Sequence, residues 1–243
     1  MSKLLWTQKQ DIGPSPRSGH AMVFETSRQR VLLFGGFAGN NQFLNDTWSW
    51  DGENWTQLAD MGPSSRSLHA IAYDSARDRT VLFGGHAGNT EFGDTWEWNP
   101  ADATWAQRAP DGSMPPNRTY TGIYYDSARA RVVMLGGPSS AAFNTFVDTA
   151  WEWDGAAWQV PAQSASPLAR WLCSFTYDAI RQRVVAFGGE DAGNRLNDDT
   201  WSWDGTTWSR AAVGARPSAR IRTPLAYDSR RGAGVLFGGQ DSA

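Results

Sequence analysis

A pair of adjacent glycines recurs at Gly35-Gly36, Gly84-Gly85, Gly136-Gly137, Gly188-Gly189 and Gly238-Gly239, so the first glycines lie 49, 52, 52 and 50 residues apart. A period of this size means that one supersecondary unit is written several times, and that the copies bury their surfaces against one another. The text around each pair repeats as well. One copy reads RSGHAMVFETSRQRVLLFGG and continues FAGNNQFLNDTWSWDGENWTQL; the next reads RSLHAIAYDSARDRTVLFGG and continues HAGNTEFGDTWEWNPADATWAQR.

Each copy predicts four short strands, a to d. Strand a is an apolar run ending in an aromatic and an acid: Phe24-Glu25, Tyr73-Asp74, Tyr125-Asp126, Tyr177-Asp178 and Tyr227-Asp228. Strand b runs into the double glycine. Strand c is Asp-Thr-Trp-x-Trp, whose alternation suits a pleated, half-buried sheet. Strand d carries a third tryptophan, as in Trp55-Thr56-Gln57. Asp51-Gly52, Asp154-Gly155 and Asp204-Gly205 link c to d, a hairpin signal because the turn needs positive φ. No segment has a 3.6-residue period, so no helix is expected. Of the 14 tryptophans only Trp171 falls outside the c and d positions.

With its Arg-Ser-x-His start, double glycine and spaced tryptophans, the sequence resembles the kelch-repeat family over nearly its whole length. The resemblance implies an all-β, five-bladed β-propeller of antiparallel four-stranded blades, formed as one domain over residues 1–243. The expected repeats are 17–58, 66–108, 118–159, 170–210, and 220–243 together with 4–8. There are five copies of a and b but only four of c, the third stretched to Asp148-Thr149-Ala150-Trp151. Leu4-Leu5-Trp6-Thr7-Gln8 matches strand d, so the N-terminal strand is expected to close the last blade, leaving it with three strands or with a fourth lost.

In an a-b-c-d meander the a–b and c–d links share one face, and the b–c and d–a links share the other. The a–b links are short and uniform, which is turn chemistry. The b–c links differ in every copy: FAGNNQFLN, HAGNTEFG, PSSAAFNTFV and EDAGNRLN. Positions that break a repeat are free to serve a ligand, and binding residues concentrate on loops held by a rigid scaffold. The b–c/d–a face is therefore the expected binding face, as in the kelch proteins that bind peptides.

Five arginines open strand a: Arg17, Arg66, Arg118, Arg170 and Arg220. As a ring at one mouth they could hold a carboxylate or phosphate by forked hydrogen bonds. The competing reading pairs them with the repeating Asp46, Asp94, Asp148 and Asp199, leaving one arginine over. Trp171 stands where the other copies have Ser18, Ser67, Thr119 and Ile221, and Tyr120 stands where they have Gly19, Leu68, Leu172 and Arg222. Such an aromatic pair anchors a peptide or plugs the pore. After the double glycines come Phe37, His86, Pro138, Glu190 and Gln240, of which His86 and Glu190, with Asp191, are the acid/base candidates. His20, His69 and Cys173 occupy one repeat position, shared with Thr121 and Thr223, and are weak zinc or copper candidates; no metal and no cofactor is expected.

The net charge of −3 supplies no basic excess for nucleic acid, and no apolar run reaches the ~20 residues that span a bilayer. The lone Cys173 excludes an internal disulfide, and Met-Ser-Lys-Leu-Leu-Trp lacks a secretory apolar core, so a cytoplasmic monomer is expected. The expected function is a binding or scaffold module for a peptide or protein segment, or for a small polar ligand. The alternative is an enzyme acting on a small molecule or carbohydrate (isomerase, lyase or metal-assisted), with its site at the central mouth of the same face. A carbohydrate-binding module is a third reading. No phosphate loop, nucleophile elbow or His-Glu-x-x-His motif is present.

Overall fold

Short apolar or alternating runs between glycine-marked turns form the strands of the computed structural model, which describes residues 13–110, 112–138, 149–162, 169–212 and 214–241. Unit one runs Ala21–Glu25, Arg30–Phe37, Phe43–Trp50 and Trp55–Ala59, paired antiparallel in that order. Unit two repeats this with Ala70–Asp74, Arg79–Phe83, Thr95–Asn99 and Thr104–Arg108. Unit three has Gly122–Asp126, Arg131–Leu135, Trp151–Trp153 and Trp158–Gln159. Unit four has Ser174–Asp178, Arg183–Phe187, Thr200–Trp203 and Trp208–Arg210. Unit five is a hairpin of Leu225–Asp228 and Ala233–Leu236, with no c or d strand among the described residues. No helix occurs among the described residues, as the lack of a 3.6 period predicts, and none is therefore long and apolar enough to cross a membrane. The N-terminal strand expected at Leu4–Gln8 lies outside the described residues.

The first strands of units one to five pack side by side in sequence order. Val23, Ala72, Tyr124, Thr176 and Tyr227, one from each, line a shared central cavity of about 480 Å³. The apolar cores lie between consecutive sheets. Phe34 meets Ile71 and Leu82 between units one and two. Val81 and Phe83 meet Met134 and Trp153 between two and three, and Val133 meets Val184 and Trp203 between three and four. A lone four-stranded sheet would leave one such face in water; radial stacking buries both, which is the propeller solution.

The Asp-Thr-Trp-x-Trp strand is the joint between units, and each of its letters has a task. Asp46, Asp94 and Asp199 accept the indole N–H of the tryptophan two residues on, at 2.7, 2.7 and 2.8 Å. Thr47 and Thr95, fully buried, accept from the strand-d indole of the following unit: Trp105 at 2.9 Å and Trp158 at 2.8 Å. The second tryptophan, Trp98, Trp153 or Trp203, is buried against its strand-d partner, with ring centroids 5.4–5.9 Å apart. At the opposite end of the units the strand-a tyrosine reaches back one unit, as Tyr177 donates to Asp126 at 2.7 Å.

The double glycine is required by close approach. A Cβ on Gly35, Gly84 or Gly188 would lie 2.8, 2.4 or 2.5 Å from the backbone oxygen of Arg66, Arg118 or Arg220, on the next unit. The a–b turns share another device: Gln29, Asp78, Ala130, Gln182 and Gly232 all take φ of 50–62°. Only the fifth copy places a glycine there, so four turns carry a side chain in the left-handed region.

Candidate functional site

The b–c/d–a face is built on the arginines that open strand a. Arg66 donates to both carboxylate oxygens of Asp94 at 2.6 and 2.9 Å, and to the carbonyls of Gly84 and Ser64 at 3.0 and 2.9 Å. Arg17 makes the same set with Asp46, Gly35 and Ser15, and Arg170 forks onto Asp199 and reaches Gly188. Burial alone would raise the pKa of Asp46, Asp94 and Asp199; hydrogen bonds and charge from the arginines outweigh it and hold all three carboxyls below their ordinary value. Arg118 is buried and bonds the carbonyls of Gly136 and Thr149, while Asp148 lies outside the described residues. Burial lowers the Arg118 pKa to about 10. Arg220 reaches Gly238 and Ser218 but meets no carboxylate among the described residues. Three of the five arginines are thus occupied by Arg–Asp clamps.

In four of the units the next residue bridges the position after the double glycine: Ser18 to Phe37, Ser67 to His86, Trp171 to Glu190 and Ile221 to Gln240. One step on, Gly19, Leu68, Tyr120, Leu172 and Arg222 all adopt φ of 51–61°. Four of these positions, all but Leu68, line the mouth of the central channel, and the backbone links the first three: Leu68 N–H donates to Gly19 O at 2.7 Å and Tyr120 N–H to Leu68 O at 3.1 Å. Tyr120, Leu172 and Arg222, together with His20, Thr121, Cys173 and Thr223, line a mouth cavity of about 470 Å³. Arg222 lies 3.5 Å from the side-chain oxygen of Gln240.

Tyr120 also reaches a second recess, of about 240 Å³, whose wall is Phe37, Phe43, Leu68 and Gly19 and whose polar edge is Ser18, Ser67 and His86. His86 is held between Gly88 O, 3.3 Å from Nδ1, and Ser67 Oγ, 3.1 Å from Nε2. A carbonyl can only accept, so Nδ1 carries a proton, and in the neutral imidazole the Ser67 hydroxyl donates to Nε2. Phe43 meets the edge of His86 at 5.5 Å and packs on Phe37 at 5.0 Å. Sequence reasoning did not single out Phe43; the signal was available as a second phenylalanine in the b–c link that begins with Phe37. On the other side of Tyr120, Trp171 meets it edge-on, with centroids 6.3 Å apart and planes at 89°. The expected aromatic pair is therefore a physical contact.

The remaining candidates are dispersed. Glu190 and Asp191 pair with Trp171 and Arg170 in a two-residue ladder of unit four, whereas His86 belongs to unit two. The acid/base candidates thus sit in separate surroundings. Of the metal candidates, His20 and Cys173 line the mouth cavity. Burial, reinforced by Arg66, lowers the His69 imidazole to about 3, and burial raises the Cys173 thiol to about 12. Cys173 donates to Gly188 O at 3.3 Å. Among the described residues no three His, Cys, Asp or Glu side chains gather as a metal-binding set.

No curated protein matches the chain. A family model described as the KLHDC2/KLHL20/DRC7 Kelch-repeats domain matches residues 1–154, well over half of the chain. That match, the all-β antiparallel sheets and the repeated Arg–Asp clamp agree, and the chain belongs to the kelch-repeat family, whose propellers are protein-interaction scaffolds.

Proposed function

We propose that this propeller binds a peptide or protein segment through the face that carries the b–c and d–a links. The observation behind it is the recess of Phe37, Phe43, Leu68 and Tyr120, rimmed by the Ser67–His86 hydrogen bond. It is the size of one large side chain, mostly apolar, with a few placed polar groups, as ligand-anchoring sites are. Tyr120 joins it to the channel mouth, so a ligand seated in the recess continues over Trp171 and past Arg222. The left-handed backbone at Leu68 and Tyr120 fixes these side chains before any ligand arrives, which lowers the ordering cost of binding. Arg17, Arg66 and Arg170 support this reading by anchoring the face rather than by touching the ligand.

Panning a random peptide library on the protein, then remeasuring the selected peptides against three variants, tests the reading. Tyr120→Ala and Trp171→Ala are expected to weaken binding at least tenfold, and Arg28→Ala, on the a–b turns, is expected to leave it unchanged. Selected peptides that lose affinity only with Arg28→Ala would place the site on the opposite face.

A further inference from the structure

One repeat position is aromatic in all five units: Phe24, Tyr73, Tyr125, Tyr177 and Tyr227, each followed by an acid. Two of the tyrosines commit their hydroxyl proton to a carboxylate. Tyr177 donates to Asp126 at 2.7 Å, and Tyr73 donates to Asp78 at 2.7 Å and lies 2.8 Å from Ser27 Oγ. Phe24 has no hydroxyl to give, so the feature that all five units share is the ring.

All five of these residues line the central cavity of about 480 Å³. Thr26 and Ser75, from the a–b turns, line it as well, so it lies toward the a–b end of the strands, away from the mouth that holds Tyr120 and Arg222. No charged side chain is among its lining residues. The carboxylates that take the two phenols are already answered by arginines, Asp78 by Arg28 at 2.8 Å and Asp126 by Arg129 at 2.7 Å. Among the described residues none of the five rings holds a cation; the guanidinium groups that do sit over rings are Arg66 on Phe92 and Arg129 on Trp203.

We infer that this cavity binds a quaternary ammonium group. Aromatic rings attract a cation through their quadrupole and need no counter-ion to do so. With their protons held by carboxylates, Tyr73 and Tyr177 offer a ligand only lone pairs and ring. An anion finds no cation in this wall. A primary ammonium keeps its N–H groups hydrated, because the lining holds no carboxylate to take them over. A quaternary ammonium has no N–H, sheds its water at the least cost, and packs its methyl groups on the rings. A volume of about 480 Å³ is in the range that encloses a small ligand. The site is at the other end of the channel from the recess of Phe37 and Phe43 and does not depend on the reading of that face.

The probe is choline chloride, titrated into the whole protein and followed by calorimetry. Saturable 1:1 binding is expected. The neutral isostere, in which a tert-butyl group replaces the trimethylammonium, should bind at least tenfold more weakly. Changing the ligand leaves the protein untouched, so this comparison separates recognition from misfolding. Phe24→Leu and Tyr125→Leu should each weaken choline binding at least threefold, while Phe24→Tyr, which copies the other four units, should preserve it. A trimethyllysine peptide run beside choline tells the source of the group: tighter binding of the peptide assigns it to a modified side chain, tighter binding of choline to a free solute, and both support the site. Equal binding of the neutral isostere would make the cavity an apolar hollow, and choline binding untouched by both leucine variants would place the site elsewhere. Either result, or no saturation by choline or peptide at tens of millimolar, overturns the proposal.

Discussion

Asp94→Ala measures what the arginine ring is for. In the native protein the Arg66 side chain is fully buried, lies 4.0 Å over the Phe92 ring, and meets Asp94 through two charge-assisted bonds of 2.6 and 2.9 Å. Removing the carboxylate leaves Arg66 with two carbonyl partners, Ser64 O and Gly84 O, and deprives the Trp96 indole of its acceptor. Breaking a buried ion pair costs about 3–5 kcal/mol, because the surviving charge stays buried without its counter-charge. Asp94 itself is 21% exposed, so water enters the vacated space, and the lower end, about 3 kcal/mol, is expected. For a chain of this length that is a fall in melting temperature of roughly 6–12 °C. Urea unfolding at pH 7, followed by tryptophan fluorescence, reads the loss as a lower midpoint at unchanged slope. Asp198→Ala is the control. Its partner Arg216 lies 3.3 Å away with both side chains 40–45% exposed, so about 0–1 kcal/mol is expected. If Asp94→Ala cost no more than Asp198→Ala, the arginines would not be structural clamps, and a ring of free guanidinium groups would become the leading description of the mouth.

Burial holds the His69 imidazole at about 3, well under its unfolded value near 6.5, so the unfolded chain binds a proton that the native chain refuses. Stability is then full above pH 6.5 and falls as pH drops below it, by about 1.4 kcal/mol per pH unit down toward pH 3. His69→Thr, which copies Thr121 of unit three, should flatten urea midpoints between pH 6 and 5; an unchanged slope would refute this assignment. Ala130→Gly, at φ 50° in an a–b turn, should stabilise by about 1 kcal/mol in the same assay, because the lost Cβ penalty of about 1–2 kcal/mol outweighs glycine's entropic cost of about 0.5–1 kcal/mol. Trp98→Ala should cost about 3–5 kcal/mol through the cavity it leaves, whereas Trp171→Ala, outside the cores between sheets, should cost under about 1 kcal/mol. Comparable losses from both would show that Trp171 is structural rather than a ligand contact.

Most of the fold was written in the repeat. The five double glycines, the Asp-Gly hairpins and the Asp-Thr-Trp strands each stand where the structure uses them, because each answers a local demand that recurs: a positive φ, a close backbone approach, a carboxylate for a buried arginine. What depends on contacts across units was harder to read. Nothing in the spacing of Thr47 and Trp105 announces that the hydroxyl and the indole, 58 positions apart, share a hydrogen bond. The left-handed backbone at Leu68, Tyr120, Leu172 and Arg222 was also hidden, since only Gly19 advertises it in sequence. The proposed binding face was legible only as the place where the repeat breaks. The recess itself needs Phe37 and Phe43 of unit one to meet Leu68 and His86 of unit two and Tyr120 of unit three, a juxtaposition that only the radial stacking creates.

The stitches that indoles and phenols make between units point one way, opposite to the backbone N–H bonds that Gly36, Gly85 and Gly189 send forward to Arg66, Arg118 and Arg220. Trp105 and Trp158 donate back to Thr47 and Thr95, Trp153 donates back to Glu97 at 2.9 Å, and Tyr177 donates back to Asp126. In each case the acceptor belongs to the earlier unit and the donor to the later one. A chain leaving the ribosome therefore presents the acceptors for these aromatic donors before the donors themselves. At typical synthesis rates a new 50-residue unit follows every roughly 3–10 s and meets a surface already shaped for it. Each new unit then brings its indole and phenol donors to carboxylates and hydroxyls that the unit before it already holds.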